Sequence, residues 1–90
     1  MKQFGLGQVV ATPGAIEAME KSGEMPFTFL IRHMAGDWGD VPKEDWQANN
    51  LATEHGERLL SAYKTKDGTK LWVITEWDRS VTTLLLPDEY

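Results

Sequence analysis

The hydrophobic periodicity of this chain changes near Arg58, and this change constrains the fold more than any other sequence feature. Between a short first strand and Arg58, apolar residues recur every three to four positions, which is typical of amphipathic helices. Beyond Arg58 the period falls to two, which is typical of strands. Helices followed by strands indicate an α+β fold with the helices packed on one face of an antiparallel sheet. The sequence therefore predicts a single α+β domain over residues 1–90.

The part before Arg58 predicts one strand and three helices. The predicted elements are a strand from Gly7 to Ala11, a helix from Pro13 to Ser22, a helix that begins at Pro26 and ends before Gly36, and a helix from Pro42 to His55. Thr12 is a natural N-cap, and Pro13 suits the first helical position because its missing N–H would have no partner there. The second helix has the clearest pattern, with one apolar stripe formed by Phe27, Leu30, Ile31 and Met34.

The part after Arg58 predicts a three-stranded antiparallel meander. Its strands run from Leu59 to Thr65, from Lys70 to Glu76 and from Val81 to Leu86. A two-residue Asp67-Gly68 hairpin, with Lys66 paired to Thr69, would place Tyr63 opposite Trp72. Both faces of this sheet then carry apolar residues, although three short helices can cover only one. Tyr63 and Trp72 are therefore either a stabilising cross-strand pair or part of a homodimer or partner interface.

Charge and composition exclude several classes of function. The chain has nine basic and fourteen acidic residues, a net charge of −5, which argues against binding of duplex nucleic acid. The absence of cysteine excludes disulfides, a thiolate nucleophile and cysteine-ligated metal sites. We find no apolar segment of the length that a signal peptide or a membrane span needs. We therefore expect a cytoplasmic protein that does not bind membranes.

Catalytic and metal-binding patterns are weak in this sequence. His33, Asp37 and Asp40 could together bind a divalent cation or form a small hydrolytic site. The alternative interpretation is that His33 complements the end of a helix while the two aspartates shape turns beside glycines. The serines do not lie in a Gly-x-Ser-x-Gly elbow. We therefore predict neither catalytic residues nor a cofactor.

Two turns are candidate binding surfaces. The first is Asp37-Trp38-Gly39-Asp40, and the second contains Trp77 and Arg79, which are residue types favoured as binding anchors. In the alternative interpretation, Arg79 forms a surface ion pair and Trp77 covers the sheet edge. The acidic residues around the first turn are either a solvated surface or a mimic of nucleic-acid phosphates.

Several segments of the chain resemble a family of small bacterial proteins labelled plasmid-related or hypothetical. The similar segments are Leu6–Ala15, Arg32-His33, Gly36–Gly39, Leu59–Tyr63, Trp72–Glu76 and Thr82–Pro87. The family occurs on plasmids, integrative elements and prophage-like regions and has no established activity, so the resemblance assigns no functional residue. It implies a mobile-element accessory protein that binds a host protein, and the small size and acidity suit an inhibitor of restriction or CRISPR defence. The alternatives are a small metal-dependent or hydrolytic enzyme and a self-associating structural protein.

Overall fold

The computed structural model describes residues 2–90, which form three α-helices and one four-stranded sheet. The elements, in chain order, are β1 (Gln8–Ala11), α1 (Pro13–Ser22), α2 (Pro26–Met34), α3 (Lys43–His55), β2 (Leu59–Lys64), β3 (Lys70–Thr75), β4 (Val81–Leu85) and a 3-10 turn (Pro87–Glu89). The α+β prediction is confirmed, and the predicted elements differ from the observed ones by a residue at several ends. None of the helices in this part of the chain is long and apolar enough to cross a membrane.

The sheet is mixed, which corrects the predicted arrangement. Its strand order is β1-β4-β3-β2. Strands β2, β3 and β4 form the expected antiparallel meander, but β1 joins it as a fourth strand parallel to β4. Local sequence patterns could not predict this pairing because the two strands are separated by all three helices. The sheet thus has two edges, formed by β1 and β2.

The predicted β2–β3 register was wrong by one residue. Lys64 pairs with Lys70, and Tyr63 lies opposite Leu71 instead of Trp72. The reason is the turn: Thr65 closes it through its N–H to the carbonyl of Thr69, so the loop has three residues, with Gly68 at a positive φ of 87°. Such three-residue loops place a left-handed residue last. A one-residue shift moves side chains to the opposite face, so Tyr63 and Trp72 lie on different faces and do not form a pair.

Helices α1 and α2 pack on one face of the sheet, and α3 lies against β2, where the Asn49 side chain bonds the amide and the carbonyl of Leu60. The main core cluster contains buried residues of α1, α2 and the three C-terminal strands: Ala15, Met19, Phe29, Leu30, Tyr63, Leu71, Val73 and Leu84. A second cluster brings α3 to the start of β2 through Trp38, Ala52 and Leu59. The outer face is partly covered by the C-terminal segment, where Tyr90 packs edge-on against Trp72.

The two sheet edges differ in their coverage. Beside β2, the segment Trp38–Asp40 runs parallel to the strand: the amide of Ala62 donates to the carbonyl of Trp38, and the amide of Asp40 donates to the carbonyl of Ala62. Gly39 is required there, because a Cβ would lie 2.0 Å from the carbonyl oxygen of Ala62 and its φ is +76°. Within residues 2–90, no strand or bridge pairs with the outer side of β1.

Candidate functional site

His33 faces the interior of the domain. It is fully buried on α2, and its ring lies between hydroxyl groups of two strands. Nδ1 is 2.6 Å from Ser61 Oγ, and Nε2 is 2.9 Å from Thr75 Oγ1. The network continues from Thr75 to Thr82 over 2.8 Å. It ends at Leu6, whose carbonyl accepts a 2.7 Å hydrogen bond from the Thr82 hydroxyl.

The carbonyl at the end of this network fixes the direction of the hydrogen bonds between Leu6 and Nε2 of His33. A carbonyl can only accept, so the Thr82 hydroxyl donates to Leu6 and accepts from Thr75. Thr75 therefore accepts from Nε2–H of His33, so this nitrogen carries a proton. Burial lowers the pKa of His33 to about 4, with a smaller effect from the charge of Arg79, so the imidazole is neutral at pH 7. Its Nδ1 then accepts the hydrogen bond from Ser61.

Aromatic rings enclose the histidine on its remaining sides. Phe4 and Trp38 both meet the imidazole edge-to-face, with centroid distances of 5.4 Å. Trp38 is 0% exposed, and its indole N–H donates to the side chain of Asn50 over 2.9 Å. Our prediction of Trp38 as a surface anchor therefore needs correction, because this side chain belongs to the core. Its glycine neighbours had suggested an exposed turn.

The alternative metal or catalytic site of His33, Asp37 and Asp40 is not assembled. Both ring nitrogens of His33 already contact hydroxyl groups. Among residues 2–90, no group of three or more His, Asp or Glu side chains is placed to hold a metal ion. The short Ser61–His33 contact resembles a nucleophile with its base, but both residues are fully buried, so a substrate cannot reach Ser61 in this conformation. His33 lies in the last turn of α2, as the helix-end interpretation expects, but its ring nitrogens contact strand hydroxyls instead of helix carbonyls.

Asp37 stabilises its own turn. Its carboxylate accepts a 2.7 Å hydrogen bond from Arg32 and a second one from the amide of Gly39. The pKa of Asp37 is lowered mainly by the hydrogen bond from Arg32. The Arg32 guanidinium also lies 4.4 Å from the ring centroid of Tyr63, whose hydroxyl donates to the Asp37 carbonyl. Burial raises the pKa of Tyr63 to about 12, so this phenol stays a donor at neutral pH.

Arg79 and Trp77 share a turn but differ in environment. The guanidinium of Arg79 donates to the backbone carbonyls of Ala52, Glu57 and Glu76, and thereby joins the end of α3 to the β3–β4 turn. Arg79 also has a positive φ of 61°, so its backbone is held in an uncommon conformation. This corrects the prediction of Arg79 as a free binding anchor and the alternative of a surface ion pair, because its partners are carbonyls. Trp77 is 67% exposed and remains a candidate contact.

A shallow groove lies on the outer face beside Trp72. Its volume is about 390 Å³, and its lining residues include Asp40, Val41, Leu60, Ala62, Lys64, Lys70 and Trp72. Lys64 and Lys70 are a directly opposed cross-strand pair. Asp40 is thus exposed and lines this groove, whereas Asp37 forms an ion pair with Arg32.

The face of α2 that is buried differs from the predicted one. The residues that α2 buries are Phe29, Leu30 and His33. Of the predicted apolar stripe, only Leu30 is buried; Phe27, Ile31 and Met34 face solvent. We name these three residues the α2 apolar surface. The sequence contained one signal for it: Phe29 is a large apolar residue outside the predicted stripe, so the helix has more apolar residues than one face can hold.

Comparisons with protein-family models, with curated proteins and with solved structures give no match for this chain.

Proposed function

We propose that this chain is a non-catalytic protein-binding domain that contacts its partner through the α2 apolar surface. One observation carries the proposal: Phe27, Ile31 and Met34 follow each other at i, i+4 and i+7 and are 64%, 50% and 44% exposed. Single exposed apolar residues are normal on proteins, but a contiguous group marks an interaction site. A helix face with this spacing suits a hydrophobic groove on another protein.

The residue types of this surface support the same function. Phe27 supplies a large aromatic ring, and Met25, immediately before α2, is 69% exposed. Aromatic residues and methionine are enriched in the centres of protein interfaces, and methionine adapts its shape to a partner. Trp77 is the candidate for a second contact, because it is an exposed tryptophan without a structural role comparable to that of Arg79.

The partner that we propose is a host protein in the bacterial cytoplasm. This part rests on the resemblance to proteins of mobile elements, whose accessory proteins often act on host components. The more specific form is inhibition of restriction or CRISPR defence, supported by the same resemblance and by the net charge of −5. An enzymatic function has no comparable support, because Ser61 and His33 are both inaccessible.

The experiment compares Ile31→Glu with a matched variant, Leu51→Glu. Both replace an exposed apolar residue of a helix, 50% exposed on α2 and 58% exposed on α3. Each tagged protein captures partners from a bacterial host lysate, and the captured protein is then purified and its affinity measured directly. We expect Ile31→Glu to weaken that binding at least tenfold, because a charge in an apolar interface must be desolvated. We expect Leu51→Glu to bind like the unmodified protein.

Thermal unfolding of both variants separates binding from folding. Exposed substitutions change stability by no more than about 0.5 kcal/mol, so both should unfold like the unmodified protein. Equal binding by all three proteins, or equal loss in both variants, contradicts the proposal. Loss of binding in Trp77→Ala alone would move the interface to the β3–β4 turn and would also contradict it.

A further inference from the structure

The outer edge of β1 is an unpaired backbone surface. The amides of Gln8 and Thr12 donate to the carbonyls of Ser80 and Leu84 in the neighbouring chain segment, so alternate residues of β1 face β4. The residues between these, Val9 and Ala11, consequently turn their N–H and C=O groups away from the sheet. Exposed backbone groups of this kind are a template for pairing with another strand.

The usual protection of such an edge is largely missing. Natural edge strands carry lysine, proline, a bulge or inward-facing charges that prevent pairing. Here Gln8–Ala11 consists of uncharged residues, and the whole stretch 3–16 has no charged side chain. Val9 and Val10 are 43% and 37% exposed, and both are β-branched residues that favour strands. The main feature that still opposes pairing with another strand is the short length of β1.

We propose that β1 is a self-pairing edge, where two copies of this chain join their β1 strands antiparallel around a two-fold axis at Val10. The outward groups of Val9 and Ala11 fix this register: Val9 of one copy exchanges both backbone hydrogen bonds with Ala11 of the other. Val10 then lies directly opposite Val10 of the other copy. The four-stranded sheets of both copies become one continuous sheet with an isologous interface.

Three features favour a second copy over an unrelated strand. The register pairs only uncharged residues, so no like charges are directly opposed in the ladder. The ladder also ends at matching positions, because the kink at Gly7, with φ of +64°, lies opposite Pro13, which has no N–H. Finally, the Glu89 carboxylate accepts hydrogen bonds from the Thr12 hydroxyl and the Gly14 amide. In the antiparallel arrangement Thr12 lies opposite Gln8, so the Glu89 carboxylates of the two copies lie at opposite ends of the ladder.

Single cysteines test this register directly, because the natural chain has none. In the Val10→Cys variant, the two cysteines form a non-hydrogen-bonded pair with Cα atoms about 4.5 Å apart, within disulfide range. In the matched Val9→Cys variant they are diagonal neighbours about 7–8 Å apart, too far for a disulfide. Under mild oxidation we expect Val10→Cys to form covalent dimer at least ten times faster than Val9→Cys, as measured by non-reducing electrophoresis.

Light scattering of the unmodified protein supplies the second measurement. We expect the mass to rise from 10.2 kDa toward twice that value as the concentration increases, and the Val10→Lys variant to stay at 10.2 kDa. Thermal unfolding of Val10→Lys alone should be unchanged at low concentration. Equal cross-linking rates of the two cysteine variants overturn the proposal, as does a constant mass of 10.2 kDa up to millimolar concentration. Faster cross-linking of Val9→Cys overturns it too, since it requires another register. Failure of the α2 variants to affect partner binding would leave these outcomes unchanged, because the two surfaces are distinct.

Discussion

The two edges of the sheet differ in whether their outward backbone groups have hydrogen-bond partners. At the β2 edge, the segment Trp38–Asp40 satisfies the backbone of Ala62 and is anchored by a fully buried tryptophan. At the β1 edge, Val9 and Ala11 direct their backbone groups outward, and within residues 2–90 no strand covers them. The closed edge is thus built from the residues that had suggested a binding site, whereas the open edge carries no charged residue or other conspicuous motif.

Glycine, aspartate and tryptophan in one segment can therefore indicate a buried segment that closes a sheet edge, and not only a recognition loop. Gly39 permits the close approach to β2, Asp37 orders the turn, and Trp38 fills the space beside His33. The surfaces that remain for partners are the α2 apolar surface and the uncharged edge strand β1.

Removing the anchor of the closed edge should cost the most. Trp38→Ala deletes a fully buried aromatic side chain, and such truncations typically cost about 3–5 kcal/mol of unfolding free energy. The matched variant Trp77→Ala removes a tryptophan that is 67% exposed and should change stability by less than about 0.5 kcal/mol. Chemical denaturation monitored by circular dichroism measures both. Similar losses in the two variants would show that Trp38 does not anchor this edge.

Displacing the segment Trp38–Asp40 from β2 should cause the second-largest loss of unfolding free energy. In Gly39→Ala the new methyl meets the Ala62 carbonyl at 2.0 Å and the residue must keep a positive φ, which together cost about 2–4 kcal/mol. Gly23→Ala is the control, because Gly23 has a similar φ of +74° with nothing within 4 Å of the new methyl. The control should lose only about 1–2 kcal/mol. Equal losses would mean that the contact with β2 is unimportant.

Acid should weaken the network that links the two edges. The chain of hydrogen bonds from Ser61 through His33 to Leu6 crosses the sheet from β2 to the segment before β1. Burial holds the pKa of His33 at about 4, below its ordinary value, so the unfolded chain takes up a proton at a higher pH than the folded protein. The unfolding free energy should therefore fall as the pH drops from about 6.5 to 4. The loss should reach about 2 kcal/mol at pH 5 and about 3 kcal/mol at pH 4.

The variant His33→Gln isolates this effect, because glutamine keeps hydrogen-bonding groups but does not titrate in this range. It should be less stable than the unmodified protein at pH 7 and should lose much less stability between pH 7 and pH 5. Denaturation curves at several pH values provide the comparison. The same pH dependence in both proteins would assign the titration to another group.

Local sequence signals predicted most of the elements but not their tertiary arrangement. Thr12 and Pro13 marked the start of α1 correctly, since caps depend on neighbouring residues alone. The register of β2 and β3 was missed because Gly68 closes a three-residue loop, and Asp-Gly suits both loop lengths. The parallel pairing of β1 with β4 depends on contacts between residues 73 positions apart, for which a single sequence contains no direct signal.

The candidate sites were harder to predict because burial decides their role. His33, Trp38 and Arg79 are residue types that serve binding sites and interiors equally well, and only the packed structure distinguishes the two uses. Phe27, Ile31 and Met34 follow the periodicity of a buried stripe, yet α2 turns Phe29 and His33 inward instead. Helical spacing identifies an apolar face but does not state which of two apolar faces the sheet will cover.

Hydrogen exchange resolved by residue compares the two edges most directly. The amide of Ala62 donates to Trp38, so we predict strong protection from exchange at every protein concentration. The outward amides of Val9 and Ala11 should exchange rapidly in dilute solution and should become protected as concentration rises, because self-pairing then gives them acceptors. Rapid exchange of Val9 and Ala11 at all concentrations, or unprotected Ala62 in dilute solution, would contradict the contrast between an open and a closed edge.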